Sequence, residues 1–193
     1  MKIFKSLSTA ALAVFILQAH AQNEIPTGFK NGTIVLADST VLSGYIKESI
    51  RSHASLLLLD KPGGKRKSYD GSQLISAIVD STKYLCISGD FFKVICEGEL
   101  SFLQKASDAS AKPSYNGTEI VFNNGTEGRP GDYFIYAKQQ NQLKLVTKKT
   151  FDYVIETSFT NCTAAIDKAK KNHSDIAQLK EAVEVYNNRN NNR

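Results

Sequence analysis

QLISAIVDSTKYLCISGDFFKVICEGELSFLQK, residues Gln73–Lys105, decides the fold. It is dense in Ile, Val, Tyr, Phe and Cys, and corner residues interrupt it at Asp80-Ser81, Gly89-Asp90 and Glu97-Gly98. Strand-length apolar runs between turn signals predict four consecutive antiparallel strands rather than helices.

The same reading extends in both directions. Upstream, Ile34 and Leu36 alternate with Val35 and Ala37, Asp38-Ser39 forms a corner, and Leu42 and Ile46 resume the alternation. This predicts a hairpin, with Gly44 marking a bulge or a close backbone neighbour. ASLLLLD (residues 54–60) predicts a central strand covered on both faces, and KPGGKRKSYDGS (61–72) a turn-rich loop. Downstream, residues 106–113 read as an exposed connection, and TEIVFNN, DYFIYAKQQNQLKLVTKK and FDYVIE as three or four more strands. Corners every eight to twelve residues imply a barrel, a sandwich or a curled sheet.

The period changes at Phe159. Phe159, Cys162, Ile166 and Ala169 share one helical stripe, and Ile176, Leu179, Val183 and Tyr186 share another. Lys168, Lys170 and Lys171 suit the end of the first helix, while Ser174 and Asp175 suit the start of the second. The fold class is mainly β, an antiparallel meander with a C-terminal α-helical hairpin, α+β overall. The boundaries are a signal peptide at 1–21, a β-rich domain at 22–157, a docked helical hairpin at 158–187 and a disordered tail at 188–193.

The leader assignment rests on Lys2 and Lys5 before an apolar run from Ala10 to Leu17, closing on Ala19-His20-Ala21. The run is too short for a bilayer span, and small residues stand where a signal peptidase reads. Cleavage is expected after Ala21, giving an exported chain in the periplasm or at the outer cell surface, with no integral membrane segment. Losing Lys2 and Lys5 takes 24 basic against 19 acidic residues to 22 against 19, too even a balance to imply a nucleic-acid partner.

Three cysteines, Cys86, Cys96 and Cys162, are an odd number for an oxidising compartment. A two-residue turn at Gly89-Asp90 would set Cys86 against Lys93 and Cys96 against Lys83, with the sulfurs on opposite faces and no bond between them. Cys162 falls on the first helical stripe as a buried thiol.

Asn-Gly-Thr at Asn31, Asn116 and Asn124 and Asp-Ser-Thr at Asp38 and Asp80 read first as turn corners. Asn31, Asn116, Asn124, Asn161 and Asn172 also match the N-glycan acceptor pattern, and Ser39 and Ser81 are candidates for O-modification after Asp. His53 and His173 have no activating partner in sequence, the cysteines lack metal-site pairing, and no phosphate loop is present, so no catalytic residue, metal ligand or cofactor is assigned. Lys61, Lys65, Arg66 and Lys67 form the one dense basic group, a candidate anion-binding loop or a solvated hairpin. Tyr133, Phe134 and Tyr136 could line a glycan platform but are first of all strand residues.

GTIVLADSTVLSGYI, YLCISGDFFKVICEGELSFL, and FTNC leading to VEVYNN together resemble a group of exported proteins of unknown function typical of Bacteroidota bacteria. That resemblance implies a signal peptide, a β-rich domain and a short C-terminal helical segment ending in Tyr-Asn, with no activity attached. The expected function is a non-catalytic binding or envelope-associated domain, its partner an envelope protein or an acidic glycan. The alternative is a secreted hydrolase built on a dispersed carboxylate pair.

Overall fold

The computed structural model describes residues 24–109, 113–115, 120–122, 125–171 and 175–189. The predicted leader, Asn116, Asn124, Asn172, His173, Ser174 and the last four residues lie outside them. The quoted stretch forms four strands, β5 (Leu74–Val79), β6 (Thr82–Ile87), β7 (Asp90–Cys96) and β8 (Leu100–Lys105). Before them come β1 (Lys30–Leu36), β2 (Val41–Ser49), the single helical turn α1 (Ile50–His53), β3 (Ser55–Leu59) and β4 (Arg66–Asp70). After them come β9 (Pro113–Tyr115), β10 (Ile120–Phe122), β11 (Tyr133–Ala137) and β12 (Gln142–Val146).

Ten strands make one antiparallel, curled, open sheet in the order β12-β11-β8-β7-β6-β5-β1-β2-β3-β4, and β9 and β10 pair apart from it. Two glycine pairs permit the curl. Gly32 faces Gly44 across β1 and β2. A Cβ on Gly32 would lie 2.5 Å from the Ile78 carbonyl, and one on Gly44 would lie 2.5 Å from that of Leu59. Gly44 therefore marks a close backbone neighbour, as its interruption of the strand predicts. At the rolled end, Gly71 after β4 bridges Gly89 in the β6–β7 turn, so β4 comes round to meet that hairpin. Inside the roll lie Ile34, Ile46, Leu56, Tyr69, Leu74, Tyr84 and Phe91, all buried.

The chain then changes architecture along β7. Val94 pairs with Leu103 and Cys96 with Phe102, so Ile95 is a bulge. Phe91, before the bulge, packs in the rolled core, while Ile95 and Cys96 pack under a layer of helices. Those helices are α2 (Phe151–Ser158), α3 (Thr163–Lys171) and α4 (Leu179–Asn188). Their core holds Phe102, Ile135, Phe151, Ile155, Phe159, Ala165, Leu179, Val183 and Tyr186. On the opposite sheet face Phe92, Leu103 and Phe134 form a third buried group, with the Phe92 and Phe134 rings edge to face.

Several expectations need correction. Ser107 and Ala109, in the connection expected to be exposed, are buried, and Asn188 and Arg189, expected in a disordered tail, end and cap α4. FDYVIE is helical rather than extended, because Phe151, Val154, Ile155 and Ser158 put one buried face on a helix and leave Tyr153 in solvent. Helices therefore begin at Phe151, ahead of the boundary expected at 158. KRKSYD is not loop, for Arg66–Asp70 is edge strand β4, and ASLLLLD is accordingly the strand next to the edge, not a central one. Asn31-Gly32 is no corner, since Asn31 pairs with Tyr45 inside the ladder. The β6–β7 turn is Ser88-Gly89, both at positive φ, one residue earlier than expected. Cys86 thus faces Phe91 and, after the bulge, shares a sheet face with Cys96. The two stand four ladder steps apart along the hairpin, roughly 13 Å at strand rise, and all three cysteines are free.

Candidate functional site

Two constellations bring polar side chains together, and neither is a sequence motif. The first is a buried ion pair on the outer sheet face. Asp90 opens β7 and Lys105 closes β8, their charged atoms are 3.1 Å apart, and both side chains are wholly buried. Asp90 accepts hydrogen bonds from Ser107 Oγ, Ala109 N, Thr126 N and Thr126 Oγ1. Lys105 Nζ donates to the carbonyls of Thr126, Glu127 and Gly128. Each charge is surrounded by complementary dipoles, the condition under which a buried pair is tolerated. The pair ties residues 107–109 to 126–128 across the base of a long connection, and its carboxylate has no lone pair left for chemistry.

The second is a cleft of about 210 Å³ between β11–β12 and the helices. It is more enclosed than the hollow between α3 and α4 or the saucer on the outer face of β1 and β2. Leu100, Ile135 and Ala137 give it an apolar floor, and Glu99, Gln140, Gln142, Lys144, Ser158, Thr160 and Tyr186 line it. Strand alternation places Lys144 here: it pairs with Ile135 and shares the helix-covered face with Gln142 and Val146. Its Nζ reaches the C-terminus of α2, donating to Thr157 O at 3.2 Å and Thr157 Oγ1 at 3.0 Å. Burial holds the Lys144 ammonium below the usual lysine value. Next to Thr157, Ser158 is 7% exposed, and its Oγ is buried with no hydrogen-bond partner among the described residues.

At the rim, the end of α4 is clamped to the start of β8. Asn187 Nδ2 donates to Leu100 O, and Leu100 N donates to Asn187 Oδ1, so the side-chain amide pairs with β8 as a strand would. Arg189 Nη2 lies 2.7 Å from both Glu99 oxygens, its guanidinium stacks 3.7 Å from the Tyr186 ring centre, and Tyr186 Oη donates to Glu99. The Arg189 hydrogen bond is the largest effect drawing the Glu99 carboxyl below its ordinary value. Burial is the largest effect raising Tyr186.

The basic group is not gathered into one patch. Lys61 and Lys65 lie exposed in the β3–β4 turn, and Arg66 and Lys67 are successive strand residues, so they project to opposite faces. Arg66 stands over the Phe29 ring and Lys67 over the Tyr69 ring. Ser39 and Ser81 are both exposed at corners. Tyr133 stacks on Phe102, Phe134 is fully buried, and Tyr136 bonds Asn141, so these three are strand and core residues. Among the described residues, no helix is long and apolar enough to cross a membrane, and no three His, Cys, Asp or Glu side chains are grouped to hold a metal ion.

Sequence reasoning missed Asp90, read only as a corner residue, and the whole cleft. A lysine ending an apolar strand, LSFLQK, was the one local sign of the ion pair. Compared with known proteins, the chain matches no family, no curated protein and no solved structure.

Proposed function

We propose that this chain acts outside the cytoplasm, in the periplasm or at the outer cell surface, as a non-catalytic binding component of the cell envelope. Its binding site is the cleft beside β12. The carrying observation is the inventory of that cleft: a partly buried lysine, a buried serine hydroxyl with no described partner, two amides and two threonines over an apolar floor. Enclosed concavity with a few convergent polar groups is what small-molecule recognition needs.

In the cleft and the buried ion pair, the carboxylates favour binding over hydrolysis. Glycoside hydrolysis by a carboxylate pair requires one acid able to give up a proton and a second facing it. Here Glu99 is held ionised by Arg189 and Tyr186, and Asp90 is enclosed by five donors.

Native mass spectrometry of protein recovered from the envelope fraction tests the reading. It should show a chain beginning at Gln22 and carrying one small-molecule adduct, which is recovered unchanged after incubation with fresh protein. Conversion of the adduct to a second mass would make the protein an enzyme. A full-length chain confined to the cytoplasm would end the envelope assignment.

A further inference from the structure

Resting on that reading of the cleft, we infer that its ligand is a sugar carboxylate: a hexuronate, either free or as the terminal unit of an acidic glycan. The charge balance carries the inference first. Glu99 at the rim is neutralised by Arg189, whereas among the described residues no carboxylate lies within ion-pair distance of Lys144. An ammonium has three donors, and Thr157 takes two of them. The remaining N–H serves an anion in a partly desolvated setting, where a charge-assisted bond is strongest.

The rest of the lining selects which anion. The α2 terminus beside Lys144 is its C-terminal, carbonyl end, the negative pole of the helix. The larger charge of a phosphate dianion is disfavoured there more strongly than the single charge of a carboxylate, which one lysine can balance. Ser158, Thr160, Gln140 and Gln142 then offer both donors and acceptors, matching a ring of hydroxyls. The floor of Leu100, Ile135 and Ala137 suits the C–H face of a pyranose. A volume of about 210 Å³ holds about seven waters at liquid density, room for one monosaccharide unit with any further glycan left outside.

Titrating labelled full chain with galacturonate, galactose, oligogalacturonate and inorganic phosphate, followed by amide chemical shifts, tests this. Galacturonate should shift the amides of Lys144, Thr157 and Ser158, with galactose at least tenfold weaker and phosphate without effect at those positions. Lys144→Met should weaken galacturonate at least tenfold and Lys144→Arg much less. Ser158→Ala, which removes a hydroxyl lacking a described partner and should leave the fold intact, should weaken it severalfold. Oligogalacturonate binding as tightly as the monomer identifies the glycan end, and monomer binding alone identifies the free acid; either supports the assignment. Equal affinity for galactose, or full affinity in folded Ser158→Ala and Lys144→Met proteins, would overturn it while leaving the cleft a binding site. No cleft shift with any probe would overturn it too, and the native-mass adduct then decides the broader reading separately.

Discussion

Lys105 meets Asp90 at 3.1 Å with neither side chain reaching solvent. Removing one partner leaves the other charged, buried and incompletely compensated. Lys105→Met should therefore cost about 3–5 kcal/mol in urea unfolding. Adding Asp90→Asn to that variant should recover part of the loss, because the stranded charge goes with it. Additive losses would show that the hydrogen bonds, not the charges, dominate.

Gly71→Ala tests the closure of the roll. A methyl group there would run into the Gly89 backbone, which has no side chain to move aside. We expect a loss of at least about 2 kcal/mol and faster amide exchange in both β4 and the β6–β7 turn. Gly131, at positive φ but with nothing near its Cβ position, is the control: its alanine variant should show backbone strain of about 1 kcal/mol and no loosening of β4.

The thiols should be inert in the native protein. Burial, with a smaller contribution from Asp70, pushes Cys86 up to about 12, and burial also raises Cys96. Since the thiolate is the nucleophile, alkylation of Cys86 at pH 8 should be slower than that of a free cysteine by orders of magnitude and become fast in denaturant. Non-reducing peptide maps should contain no Cys86–Cys96 link. Detection of that link would mean a register unlike the one described.

Acid should loosen the C-terminal clamp first. Glu99 has a folded value below its ordinary 4.5, so its contribution is complete above that pH and disappears as pH falls through the lowered value. The side chains are partly exposed, which limits the effect to less than about 1 kcal/mol. Arg189→Ala should abolish this acid-sensitive component, seen as the loss of pH dependence in exchange of the α4 amides below pH 5.

Charge on the edge strand should keep the molecule monomeric. β4 exposes Arg66 and Lys67 beside Lys65, and charged edge residues oppose pairing between sheets. Replacing Lys65 and Lys67 with Thr should leave unfolding within about 0.5 kcal/mol of the parent but raise the apparent mass by light scattering as concentration increases. An unchanged mass would assign edge protection elsewhere.

What the sequence revealed depended on how locally the structure is determined. The meander from β5 to β8 was legible because each strand is bounded by its own corner, and the α4 stripe because its spacing admits one period; the stripe expected from Phe159 is broken, since Phe159 caps α2 and Asn161 at positive φ separates it from α3. FDYVIE misled because Phe151, Tyr153 and Ile155 alternate like a strand while Phe151, Val154 and Ile155 repeat like a helix; tertiary burial chose between them. Asn31-Gly32 has the composition of a tight turn, yet sits where two facing glycines let the sheet roll. The cleft was invisible for a different reason: Glu99 and Tyr186 are 87 residues apart, and no local pattern records which strand a helix will settle on.

The bulge at Ile95 makes β7 a party wall. Phe91 on one side of it belongs to the rolled core, and Ile95 and Cys96 on the other belong to the helical layer. A chain cut at the Glu97–Glu99 corner would leave the roll attached to a strand whose far half has no cover, and would leave the helices without the strand they lie on. Neither piece holds a complete interior. Two separately expressed fragments should therefore remain unfolded alone and regain structure only when mixed.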